Sequence, residues 1–150
     1  MTKKLIIYFL FLSFMFTQFL IAEEKFLSLK KNKVNVRYGP SFDSKIKYIY
    51  KKINLPIKQI DEKENFRRVV DLKNNSGWIH TSQLREKSNS FIILEDKILF
   101  KKPSNLSKPM ARLEKGRLLI IKKCENMWCS IFTKDYSGWV KAENIWGSIK

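Results

Sequence analysis

The sequence predicts an all-β chain of two small barrels in tandem, following an N-terminal hydrophobic signal helix. Three observations predict it. Ser-Gly-Trp stands at 76–78 and again at 137–139, each time closing one of two stretches that can be laid over one another. Apolar runs rich in Val, Ile, Leu, Phe and Tyr alternate with clusters of Gly, Pro, Asn, Asp and Ser, the punctuation of short strands and turns. Nothing after residue 22 sustains the i, i+3, i+4, i+7 apolar stripe of a helix.

The first element is "MTKKLIIYFLFLSFMFTQFLIA", residues 1–22. Lys3 and Lys4 precede an apolar run from Leu5 to Ile21 that only Ser13, Thr17 and Gln18 interrupt, and Ala22 ends it. Basic, apolar and small, in that order, is the pattern of a secretory signal peptide. An uncleaved anchor is the alternative, because Leu20 stands where cleavage prefers a small residue. Against an anchor, the run reaches roughly 25 Å as a helix, short of a hydrocarbon core of about 30 Å. On either reading the remainder of the chain is exported.

Two units follow, 23–84 and 91–150, joined by the charged linker "REKSNS" (85–90). Internal repetition fixes them. "KVNVRYGPS" (33–41) matches "KILFKKPS" (97–104), and "SKIKYIYKK" (44–52) matches "SKPMARLEKG" (107–116). "NLPIKQI" (54–60) then matches "LLIIKK" (118–123), and "ENFRRVVD" (64–71) matches "NMWCSIFT" (126–133). Each unit reads as five strands, and closure into a barrel would remove exposed edges. A linker this short predicts units that sit side by side with limited freedom.

Strand alternation nominates the cores. The first unit would bury Val34, Val36, Ile46, Ile49, Leu55, Ile57, Phe66, Val69, Trp78 and Ile79. The second would bury Ile98, Phe100, Met110, Leu113, Leu119, Ile121, Trp128, Ile131, Trp139 and Val140. Phe66 and Val69 are three apart, which alternation puts on opposite faces, so a bulge or strong twist is expected between them. Gly77 and Gly138 are expected to end tight turns, with the following Trp starting a returning strand and covering the core. A ligand-stacking role for either Trp is the competing reading.

The chain carries a formal charge of +16, and setting aside Lys3 and Lys4 leaves +14 on residues 23–150. Such a charge favours anionic partners. Export argues against nucleic acid and for anionic lipid head groups, anionic envelope polymers or acidic proteins. Coding bias towards Lys, Ile and Asn is a second source of the same charge. Cys124 and Cys129 flank "ENMW", where a strand turns back on itself, so a local disulfide and a free pair are both open. A metal site would need more ligands, and the sole histidine, His80, lies in the other half.

Taken together, "VNVRYGPS", "IYKKINLPIKQI", "ENFRRVVD" and "SGWIHTSQL" resemble a tandem bacterial SH3-like (SH3b) protein. The likeness extends to small exported SH3 domain-containing proteins of alphaproteobacteria. It is sharper in the first unit, since "FKKPS" lacks the Arg and Gly of "VRYGPS" and Phe66 stands where the pattern has tryptophan. The resemblance implies SH3-like barrels that bind cell-wall peptides or other proteins and do no chemistry.

The residues agree with an absence of catalysis. A nucleophile needs a neighbouring base, yet His80 and the cysteines belong to different units and the acids are scattered. No cofactor or metal is expected. Binding residues would line a groove between the barrel loops: Arg37, Tyr38, Tyr48, Arg67, Trp78 and His80. Aromatic rings offer faces to sugar or peptide, and Arg can grip a carboxylate with two hydrogen bonds. The expected function is a non-catalytic envelope protein binding peptidoglycan in the periplasm. An adaptor docking an envelope enzyme or inner-membrane complex is the alternative. Membrane contact is expected only through an uncleaved N-terminal segment.

Overall fold

Short alternating runs do form strands throughout. The computed structural model describes residues 23–133 and 135–149, so the segment read as a signal helix lies outside the described residues. The first sheet contains β1 (Phe26–Leu29), β2 (Val34–Arg37), β3 (Ile46–Tyr50), β4 (Pro56–Lys63), β5 (Phe66–Val70), β6 (Ser76–His80) and β7 (Leu84–Arg85). A single 3₁₀ turn, Thr81–Gln83, precedes β7. The second sheet contains β8 (Ser90–Ile93), β9 (Lys97–Phe100), β10 (Pro109–Leu113), β11 (Leu118–Glu125), β12 (Trp128–Phe132), β13 (Ser137–Lys141) and β14 (Ile145–Gly147). Every pairing is antiparallel, and the spatial orders are β3-β2-β6-β5-β4-β1-β7 and β10-β9-β13-β12-β11-β8-β14. The second is the first advanced by seven strands. The repeat read in the sequence is therefore a repeat of topology.

Each unit has seven strands where five were expected. The outer two escape pattern reading for different reasons. "FLSL" of β1 and "SFII" of β8 are buried at every position, so neither alternates. The closing strands β7 and β14 are only two and three residues long.

Each sheet curls around its own core, since side chains from its edge strands and its centre meet in one cluster. Leu27, Leu29, Val34, Val36, Ile57, Val69, Ile79 and Leu84 form the first, with Tyr48, Tyr50 and Leu55 packed against it. Phe91, Ile93, Leu99, Leu113, Leu119, Cys129, Ile131 and Val140 lead the second, with Ile121 at its edge.

Several expected core residues lie elsewhere. In β9 the inward positions are Lys97 and Leu99, while Ile98 is 40% exposed and Phe100 half-buried. The register explains it: Phe100 pairs with Trp139 as Arg37 pairs with Trp78, and a one-residue slip turns every side chain to the other face. Lys97 takes the place of Val34 and holds Glu95 at 2.9 Å. In β3 the pairs Val34–Tyr50 and Val36–Tyr48 turn the tyrosines inward, so Ile46 and Ile49 face solvent. Met110 is likewise exposed, and Leu113 is buried. Phe66 is buried at 6% yet lies outside the core cluster. It alternates strictly with Val69 and is covered on the opposite face by Phe42. The irregularity is in the partner strand, where β4 shifts register between Gln59 and Asp61.

Ser-Gly-Trp also works differently from a turn. Gly77 and Gly138 sit inside β6 and β13, paired with Val69 and Ile131, and neither has a positive φ. What each allows is close approach. A Cβ on Gly77 would lie 2.4 Å from Val36 Cγ1 and 3.0 Å from the Arg37 carbonyl oxygen. On Gly138 it would lie 2.7 Å from the Phe100 carbonyl oxygen and 2.9 Å from Leu99 Cγ. The next residues, Trp78 and Trp139, stand half-buried on the outer face, because Ile79 and Val140 take the core side. Trp128, expected in the core, is half-buried too and meets Phe100 edge-on.

The units also touch one another. Trp146 stacks edge-on against Phe26 at 5.2 Å, and its Nε1 donates to the Pro56 carbonyl at 3.1 Å. Ser28 Oγ donates to Asn89 Oδ1, and Ser90 Oγ to the Asn54 carbonyl. This contact buries the second face of β1 and β8, which is why those strands read as continuous burial.

Candidate functional site

The outer face of the first sheet carries the candidate site. Alternation along β5 and β6 sets Phe66 beside His80, Arg68 beside Trp78, and Val70 beside Ser76. Arg37 of β2 pairs with Trp78 from the other side. Trp78 thus lies between two arginines on neighbouring strands. Tyr38, Lys47, Ser76 and Gly77 complete a groove around it, lined by three cations and no acid.

Each lining residue has a definite task. Arg37 Nη1 donates to the carbonyls of Phe42 at 2.9 Å and Ser44 at 2.7 Å, fastening the 38–45 loop, and its guanidinium lies 5.7 Å from the Phe42 ring. Lys47 Nζ donates to the Ser76 carbonyl at 2.9 Å and lies 5.6 Å from the Tyr38 ring. Tyr38 is 67% exposed. Arg68 is exposed and, among the described residues, its side chain engages no hydrogen bond or ion pair. Its guanidinium is the cation most available to a ligand.

The structure divides the six residues nominated from sequence. Arg37, Tyr38 and Trp78 come together in the groove. His80 lies further along the same face, its ring 4.8 Å from Phe42 and 5.1 Å from Phe66. Its Nδ1 accepts the Ser82 backbone N–H and meets Ser82 Oγ at 2.8 Å, capping the 3₁₀ turn. Arg67 points away, holding the Glu64 carbonyl, its own neighbour's carbonyl and the Glu62 carboxylate around the β4–β5 turn. Tyr48 lies on the core side, its hydroxyl 3.3 Å from that of Tyr50, which donates to Asp71 at 3.0 Å. Burial, above all, raises both tyrosine pKa values, and the Asp71 charge adds to it. Asp71 in turn accepts the Lys73 and Asn75 backbone N–H groups and shapes the turn before Ser76.

Arg68, Lys47 and Phe42 were not nominated. Strand alternation could have chosen Arg68 over Arg67, because only the even positions of β5 share a face with Trp78.

The second unit keeps the frame and changes the chemistry. The loops 38–45 and 101–108 share their backbone bonds, Tyr38 to Lys45 and Lys101 to Lys108. Phe100 replaces Arg37 there, and Ser130 replaces Arg68 beside Trp139. Lys123 Nζ lies 5.3 Å from the Trp139 ring. Near Phe100 the surface is mixed, with Glu95, Asp96 and Glu143 among lysines. Cys124 and Cys129 face each other across the β11–β12 hairpin and are joined by a disulfide. Among the described residues no group of three His, Cys, Asp or Glu is placed to hold a metal.

Comparison with known proteins bears on this geometry. The family model for the bacterial SH3 domain matches the chain twice, over residues 30–86 and 96–147. No curated protein matches it. Among solved structures the chain is similar to NlpC2 and NlpC1 from Trichomonas vaginalis, each at 13% identity and a TM-score of 0.38. Those alignments cover 82% and 84% of this chain but 48% and 46% of the others, so it spans about half their length. With one match on each of its two sheets, the chain belongs to the bacterial SH3 domain family.

Proposed function

We propose that this protein is a non-catalytic binding protein of the bacterial envelope, exported to the periplasm, whose first unit takes the acidic peptide stems of peptidoglycan in the groove at Trp78. The observation that carries the reading is the pairing of a half-buried Trp face with an unpartnered Arg68 in a groove that holds no acid. An indole offers a flat apolar surface to a peptide or sugar ring. A guanidinium beside it can hold a carboxylate with two parallel hydrogen bonds. Membership of a family of binding modules supports the same reading. So does the chemistry of the cysteines, since a disulfide leaves no thiolate to act as a nucleophile.

Retention on purified cell-wall sacculi tests it. Residues 23–150, which contain every strand of both sheets, are expected to bind at low salt and to remain bound at high salt. Trp78→Ala with Arg68→Ala should weaken retention at least about tenfold while far-UV circular dichroism stays unchanged. Arg37 is the wrong residue to remove, because it fastens the loop. Lack of retention at low salt defeats the wall reading and leaves an adaptor that docks an envelope protein. Retention that vanishes with salt reduces it to charge attraction.

A further inference from the structure

The junction between the units forms a cleft separate from the Trp78 groove. A cleft of about 650 Å³ opens there, walled by Arg85 at the end of β7, Lys87 from the connecting segment, and Lys122 and Lys123 from β11. Ile121, Cys124 and Ile149 supply apolar surface, and no acid lines it. Its size falls within the range of small-molecule pockets, roughly 300–1,000 Å³.

A backbone irregularity concentrates the charge. Successive residues of a strand normally face opposite ways. β11 shifts register between Ile121 and Lys123, so Lys122 is an extra residue, and both lysines line the same cleft. Lys122 Nζ lies 5.4 Å from the Phe132 ring. Lys123 Nζ is held by Glu125 at 2.8 Å and lies 5.3 Å from the Trp139 ring, so Lys122 is the lysine of the pair left to a ligand. Among the described residues, Arg85, Lys87 and Lys122 engage no carboxylate. The first unit has the same irregularity in β4 but places Ile60 and Asp61 at it. Only the second unit builds a cationic bulge, and only the docked pair of units completes the walls.

We propose that this junction cleft is an anion site for a phosphate ester whose ester carbons lie on the apolar floor. Ammonium groups act as point charges suited to a tetrahedral anion, while the planar fork of Arg85 adds directed hydrogen bonds. A free glycerol phosphate and the headgroup of an anionic phospholipid share this chemistry.

Two titrations of residues 23–150 test it. In one, sn-glycerol 3-phosphate is added and backbone amide shifts are followed. In the other, sedimentation with phosphatidylglycerol/phosphatidylcholine vesicles is compared with pure phosphatidylcholine. Saturable shifts at Arg85, Lys87 and Lys122 assign a soluble phosphate ester, and phosphatidylglycerol-dependent sedimentation assigns the lipid. Arg85→Gln with Lys122→Gln should weaken the response at least about tenfold, while Lys51→Gln with Lys52→Gln, an equal loss of charge elsewhere, should change it less than about twofold. Equal losses in the two double variants, or no saturable response in either titration, overturn the proposal.

Discussion

At the scale of single residues, the glycines of Ser-Gly-Trp matter for what they lack. The neighbours that an added methyl would meet rank the expected costs. On Gly77 the methyl would overlap Val36, which is fully buried, and press on the Arg37 carbonyl, so neither neighbour can simply swing aside. Overpacking of this kind costs about 1–3 kcal/mol. Gly116 has φ +84 with nothing within 4 Å of the added atom, so only the left-handed backbone opposes a side chain there. That costs roughly 1–2 kcal/mol, so steric overlap should put Gly77→Ala and Gly138→Ala at or above Gly116→Ala. Urea unfolding would measure this as a lower midpoint with an unchanged slope for all three. A Gly77→Ala variant as stable as the parent would show that β2 and β6 can separate freely, and the close-approach account would fail. The same overlap explains why both copies keep Gly ahead of Trp although their surface chemistry differs.

At the scale of strands and hairpins, the sequence revealed order better than facing. Ser-Gly-Trp and the Pro-containing turns located β2, β6, β9 and β13, and with them the repeat. Alternation was correct in β2, where Val34 and Val36 are both buried, because an apolar residue at every second position leaves one solution. It misled in β9, whose "KILF" offers Ile98 and Phe100 as readily as Leu99, and where cross-strand pairing rather than composition decides. The site was partly legible for a related reason. Arg37, Tyr38 and Trp78 were found from residue type, whereas Arg68 needed the register of β5 against β6. The β11–β12 hairpin shows local sequence and tertiary structure agreeing. Asn126 and Met127 both take positive φ in a two-residue turn, and directly beside it the disulfide joins opposed positions. A bridge between residues five apart confines the unfolded chain by about 2 kcal/mol on the chain-entropy estimate. Reduction under native conditions should therefore lower the stability of the second unit by that order and leave the sheet formed. Loss of all β signal on reduction would mean that the bridge holds the second core together.

At the scale of the whole molecule, the contact between the units decides whether the two outer faces are held in a fixed relation. Topological equivalence makes Trp146 the counterpart of Arg85, so the second unit carries an indole where the first has a cation, and β14 meets the first unit at Phe26 and Pro56. The indole gives the contact both apolar area and direction, through the edge-on Phe26 ring and the bond to the Pro56 carbonyl. Phe26 is 9% exposed and belongs to neither core cluster, so its burial depends on the neighbouring unit. Trp146→Ala should uncover it, and because the indole is itself only half-buried the loss should fall below the roughly 3–5 kcal/mol of a fully buried aromatic. Inter-domain contacts of modest size are otherwise free to open. The expected outcome is a single thermal transition in the parent and two in Trp146→Ala, with a broader small-angle scattering envelope. Trp146→Phe, which keeps the ring contact and loses the N–H donor, should retain one transition at a somewhat lower temperature. The junction cleft supplies an independent readout, because its walls come from both sides of the same contact. If the units separate, glycerol phosphate binding should fall together with the cooperativity of melting. Two transitions already present in the parent would mean that the units fold independently, and the cleft would then have no fixed shape.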